Sequence, residues 1–219
     1  MTILSFLDVI EERAEQEVIT VARESISTEI EKEYCVWVKP TPAGWDWLSA
    51  NEGKFFVDVM MPYPGGKRRV RIHEDKTAIF TYKTGAAEGR KEENSPLGFS
   101  SALTFYGDGN LAHLVRRIHM DAGELKERGA KHWDIDVFYR VSGHPYIDDE
   151  ESFVGLVEGM RNSTAYCGLV KVELEVERYE LTSIREFLPF EVEEIIPGNP
   201  KDPLDQEAIR NFWDNESRL

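Results

Sequence analysis

Charge recurs on every second residue in four stretches of this chain. It does so at Glu29, Glu31 and Glu33 in EIEKEY and at Asp134 and Asp136 in WDIDVF. The same spacing sets Glu173 and Glu175 in KVELEVE, and Arg69 and Arg71 in RVRI. Alternate side chains of an extended strand point to one face. The other faces are apolar, with Trp133, Ile135 and Val137, or Val172, Leu174 and Val176, or Val70 and Ile72. A sheet with one wet face accounts for any one of these strands. It accounts less well for the set, in which both signs of charge occur in quantity. A closed antiparallel barrel with a charged interior accounts for all four, with the apolar faces turned outward under helices. Unpaired charges make such an interior costly. The cost falls if carboxylates hold a divalent cation and the basic side chains hold a polyanion. Mg²⁺ and Mn²⁺ take oxygen ligands, and guanidinium forks match phosphate oxygens. That combination is chemistry for a metal–polyphosphate complex.

The rest of the chain supports a mixed fold. Ile3, Phe6, Leu7, Ile10, Ala14, Val18, Val21 and Ala22 recur at helical spacing, predicting an amphipathic helix from about Thr2 to Ser27. Strands are expected over Glu29 to Lys39, Lys54 to Met61, Arg68 to His73, Thr77 to Lys83, Ala112 to Met120, Trp133 to Val141 and Leu169 to Tyr179. Short helices are expected over Leu97 to Tyr106 and Ser152 to Arg161, with a weakly helical tail beyond Pro197. The fold class is therefore α+β, built on antiparallel strands with flanking helices. Residues 1–28 form the leading helix, 29–200 the domain and 201–219 the tail.

Charge narrows the partners. The 219 residues include 41 Asp plus Glu against 26 Lys plus Arg, a formal net charge of -15. That field repels nucleic acid and anionic lipid, so no nucleic-acid groove is expected. No stretch approaches a membrane span. The N-terminus carries acids where a signal peptide has an apolar core. Cys35 and Cys167 make neither a disulfide framework nor a metal site. The reading is a soluble, cytoplasmic protein. The leading helix makes a homodimer possible.

The charged strands also resemble a known family in order. EIEKEYCV (Glu29 to Val36) resembles the E-x-E-x-K opening strand of the CYTH family, the triphosphate tunnel metalloenzymes. RVRIHEDKTAIFTYKTG (Arg69 to Gly85) resembles its "LRIR … LTxKG" hairpin, and RKEE (Arg90 to Glu93) the following "RxE" strand. LVRRIHM resembles "V-x-K-x-R", WDIDVF resembles "WEVDEF", and CGLVKVELEV resembles "GLVLAEIEL". FEVEEIIPGNP (Phe190 to Pro200) resembles the "LGxEVTGDP" element. The seven stand in the family's order.

The resemblance implies a closed eight-stranded antiparallel tunnel that hydrolyses triphosphates with Mg²⁺ or Mn²⁺. It implies Glu29, Glu31, Glu173, Glu175 and Asp136 as metal ligands. Glu31, Asp134 and Asp136 become the catalytic candidates. Arg69, Arg71, Lys83, Arg90 and Arg117, or Arg116 in its place, become the phosphate-binding ones. The substrate would be a small-molecule polyphosphate or nucleotide. Three departures accompany it. Glu33 stands where the family has lysine, a helix precedes the first strand, and Ser142 to Tyr166 lengthens a connection. Two other functions fit the same residues: a class IV-like adenylate cyclase, and a protein that binds a phosphorylated ligand without cleaving it. The five histidines, His73, His113, His119, His132 and His144, show no metal-ligand spacing along the chain.

Overall fold

A computed structural model describes residues 32–61, 66–84, 91–107, 111–139, 147–163, 166–178 and 184–196. Glu29, Glu31, Arg90, the leading helix and the tail lie outside the described residues. The strands are β1 (Lys32–Pro40), β2 (Lys54–Met61), β3 (Gly66–His73), β4 (Ala78–Thr84), β5 (Lys91–Leu97), β6 (Leu111–Asp121), β7 (Ala130–Tyr139), β8 (Tyr166–Val176) and β9 (Val192–Ile196). The α-helices are α1 (Pro42–Ala50), α2 (Phe99–Gly107) and α3 (Glu150–Arg161).

The expected barrel does not close. The strands form one nine-stranded sheet in the order β5-β4-β3-β2-β6-β7-β8-β1-β9. A barrel would need its two terminal strands to pair. Here β9 instead takes the second edge of β1, whose other edge is held by β8. Among the described residues β5 and β9 are left as edges. The described charges therefore lie on faces of an open sheet and not inside a tunnel. Strand alternation is the same in both architectures, which is why the pattern alone pointed to the wrong one.

The chain falls into two compact units. Of the described residues, one draws on 57–61, 66–84, 91–107, 111–113 and 147–155, the other on 32–56, 114–139, 156–163, 166–178 and 184–196. In the first unit the register pairs Arg69 with Thr81 and Thr81 with Asn94. Val57, Val59, Val70 and Ile72 are fully buried on the apolar side. Phe80 of β4 meets Phe105 of α2 with ring centroids 6.5 Å apart. Asp149 starts α3: its Oδ1 accepts from the Ser152 backbone N at 2.8 Å, and the Asp149 N donates to Ser152 Oγ at 3.3 Å. This is a reciprocal cap.

In the second unit β6, β7, β8 and β1 pair in sequence. Ile135, Val137, Val170, Val172 and Leu174 are completely buried on one face. Burying such β-branched and leucine side chains stabilises the unit by about 1.5 to 3 kcal/mol each. The register of β7 on β8 shifts between Val137 and Tyr139, and Gly168 sits there at φ 78. That left-handed backbone suits glycine, and the extra residues of β8 are absorbed as a bulge.

Helix α1 was not expected from the sequence. Thr41 caps it, with Oγ1 accepting from Gly44 N at 3.1 Å, and Pro42 fills the first turn. Gly44 lies against the chain before β9: a Cβ there would stand 2.2 Å from the Glu191 carbonyl oxygen. Gly44→Ala should lower the unfolding midpoint in urea, by about 1 to 3 kcal/mol. The overlap is with backbone, which outweighs the gain of about 1 kcal/mol in helix propensity. An unchanged or raised midpoint would refute this.

Candidate functional site

Strand register builds the site in the second unit. On β6 and β7, Arg117 faces Asp136 and His119 faces Asp134. On β7 and β8, Asp136 faces Lys171, Asp134 faces Glu173 and His132 faces Glu175. On β8 and β1, Glu173 faces Cys35 and Glu175 faces Glu33. The period of two thus sets acids, bases and histidines in consecutive rows on one face.

Arg117 is the hub. Its Nε donates to Asp136 Oδ1 at 2.7 Å and its Nη2 to Asp136 Oδ2 at 2.8 Å. Its Nη1 donates to Asp134 Oδ2 at 2.8 Å, and Glu173 Oε2 lies 3.6 Å from Nη2. Lys171 Nζ stands 2.5 Å from Glu173 Oε1. Glu175 is held by Lys131 at 2.8 Å and by His132 Nε2 at 3.2 Å. This face is not an ordinary wet one: the side chains of Asp136, Glu173 and Asp134 are only 6%, 15% and 18% exposed. Burial alone would push Arg117 down, but Asp136, Asp134 and Glu173 raise its pKa well above the usual value. Lys171 behaves alike: burial lowers it, and Glu173 leads the groups that raise it further.

Along the strands the charged rows give way to apolar ones on the same face. Trp37, Phe56, Val115, Phe138 and Leu169 form a buried cluster there. Trp37 and Phe138 stack at 5.3 Å, and the Arg117 guanidinium lies 5.7 Å from the Phe56 ring centroid. The cluster keeps water from one end of the charged rows and strengthens every ion pair beside it.

Arg116 and Arg117 take different roles, as adjacent strand residues must. Arg116 is buried, and its Nη2 donates to the Leu48 carbonyl at 2.9 Å and its Nη1 to the Asn51 carbonyl at 3.3 Å. It closes the C-terminal end of α1. Of the two arginines, only Arg117 joins the acids.

The first unit carries its own charged set. Arg71 forks onto Asp58, with Nε to Oδ1 at 2.7 Å and Nη2 to Oδ2 at 2.8 Å, and Arg69 Nη1 reaches Asp58 Oδ2 at 3.5 Å. Lys83 pairs with Glu92, and Asn94 donates to Glu92 Oε1 at 3.0 Å. Burial pushes the Glu92 carboxyl up, but Lys83, Asn94 and Arg69 outweigh it and hold it below the usual 4.5. A depressed carboxylate contributes stability above its unfolded pKa and loses it as pH falls through the folded one. The stability difference between wild type and Glu92→Gln should therefore be full above pH 4.5 and shrink as pH drops below it. Urea titrations at stepped pH check this, and a difference constant down to acid pH would refute it.

Neither a scan against protein-family models nor a search of curated proteins gives a match for this chain.

The structure gathers Asp134, Asp136, Glu173, Glu175 and Arg117 into one cluster. It places Arg69, Arg71 and Lys83 in the charged set of the first unit, with Asp58 and Glu92. Lys171, Asp58 and Glu92 are the members that sequence reasoning missed. Parity could have found Lys171, which shares its face with Glu173 and Glu175. The sequence holds no comparable signal for Asp58, a lone acid in an apolar strand. Nor did spacing along the chain reveal that His119, His132 and Asp134 stand together, with one ligand atom of each within 4.8 Å of the others.

Proposed function

We propose that this chain is a divalent-metal-dependent phosphohydrolase acting on tripolyphosphate or a nucleoside triphosphate. One observation carries the reading: carboxylates face carboxylates in the ladder, Asp134 opposite Glu173 and Glu33 opposite Glu175. Like charges directly opposite destabilise a strand pair. Arg117, Lys171 and Lys131 offset part of that cost, and a further cation among the oxygens would offset more. The donors are carboxylate oxygens, which fit Mg²⁺ or Mn²⁺.

Glu173 and Glu175 would hold the ion, with Asp136 beside them. The ion supplies charge neutralisation at the phosphate oxygens. Arg117 and Lys171 are the cations at hand for phosphate, exchanging carboxylate partners for phosphate ones. Asp134 is the carboxylate that would orient the attacking water and accept its proton. Arg69, Arg71 and Lys83 form a second cationic set whose contribution substitution can read separately.

No helix among the described residues is long and apolar enough to cross a membrane. The test is phosphate release from tripolyphosphate, ATP and GTP with Mg²⁺ or Mn²⁺, and with EDTA as control. Release that EDTA abolishes is expected. No release from the folded protein with any of them would overturn the reading.

A further inference from the structure

The histidines of the charged face have a chemistry that the oxygen donors do not. His119 of β6 sits directly opposite Asp134 of β7, and His132 lies two residues before Asp134 on the same face. His119 Nδ1 is 2.8 Å from Asp134 Oδ1. The two imidazole rings lie 4.4 Å apart at 48°. We infer that His119, His132 and Asp134 form a binding site for a borderline divalent ion of the Zn²⁺ class. The site shares Asp134 with the phosphohydrolase reading, but the inference does not rest on that reading, since it requires no polyphosphate.

Three features argue for it. Two ligands at about 2.0 to 2.1 Å from one ion stand about 2.9 to 3.4 Å apart, so the contact of His119 with Asp134 already has nearly the spacing of neighbouring ligands. The outer groups are also in place. Glu175 Oε2 lies 3.2 Å from His132 Nε2, as a carboxylate does behind a metal-bound imidazole. Arg117 takes Asp134 Oδ2, which leaves Oδ1 turned to His119. Finally, imidazole nitrogen selects Zn²⁺ over the harder Mg²⁺. The His119 side chain is 63% exposed, giving the ion a path from solvent. Three protein ligands leave a position open for water or an anion.

Equilibrium dialysis of the full chain with Zn²⁺, in millimolar Mg²⁺ to occupy the carboxylates, tests this. One Zn²⁺ per chain is expected, with affinity at least tenfold weaker in both His119→Ala and His132→Ala, and unchanged in Cys35→Ser. The exposure of His119 makes its variant safe for the fold, and near-UV circular dichroism checks both. Co²⁺ should give a spectrum with no thiolate charge-transfer band. The inference is overturned by absence of Zn²⁺ binding, by unchanged affinity in either histidine variant, by loss in Cys35→Ser, or by a thiolate band. Each of these can occur whether or not phosphate release in Mg²⁺ is seen.

Discussion

Glu173→Ala/Glu175→Ala should abolish metal-dependent phosphate release, by at least 100-fold, while the protein stays folded. The two glutamates alternate with Val172, Leu174 and Val176, which are buried on the other face. Truncating the acids leaves that apolar packing untouched. It also removes two of the carboxylates that face other carboxylates, so the fold loses repulsion as well as ion pairs. Stability and activity should therefore separate. Phosphate release measured beside a urea titration reads both. A double variant that is folded and as active as wild type would remove these glutamates from the reaction.

Arg117→Met should have the largest effect on stability. The arginine answers Asp136, Asp134 and Glu173, and its side chain is only 22% exposed. Removing one partner of a buried pair costs about 3 to 5 kcal/mol, because the remaining charges stay desolvated. Methionine keeps most of the volume against Phe56, so the loss reports charge more than packing. The variant should also regain stability with millimolar Mn²⁺, more than wild type does, since the carboxylates then lack their own cation. Thermal unfolding with Mn²⁺ and with EDTA measures both parts. Equal midpoints for variant and wild type would show that Arg117 is not the hub. A midpoint that Mn²⁺ fails to raise would show that the carboxylates do not take a divalent ion.

Much of this was legible from period-two alternation. The alternation located β2 and β3, the β-branched and aromatic run from Thr77 to Lys83 marked β4, and the strands expected for β6, β7 and β8 fall within a few residues of those observed; alternation also assigned Asp134, Asp136, Glu173 and Glu175 to one side of the sheet. It carried no information on which strands become edges, and closure of the sheet was misjudged for that reason. Strand β9 escaped because VEEII reads as a solvated acidic run, yet Glu193 pairs with Lys39 of β1 at 3.3 Å. Helix α1 escaped because its nine residues are too short to show a period, although Thr41 followed by Pro42 is a start signal. Arg116 and Arg117 could not be told apart until a neighbouring helix gave one of them carbonyls to bind. His119 and His132 lie thirteen positions apart in the chain, and only the β6–β7 register joins them.

An open sheet has a vulnerability that a closed barrel lacks. Its terminal strands present backbone N–H and C=O groups that another chain could pair with. Here β9 is only five residues long and carries the exposed acids Glu193 and Glu194. On the other side β5 carries the exposed Pro96, which has no N–H to offer. Among the described residues both ends are thus poor templates for strand addition, so two glutamates and a proline also guard this protein against polymerising through its own sheet.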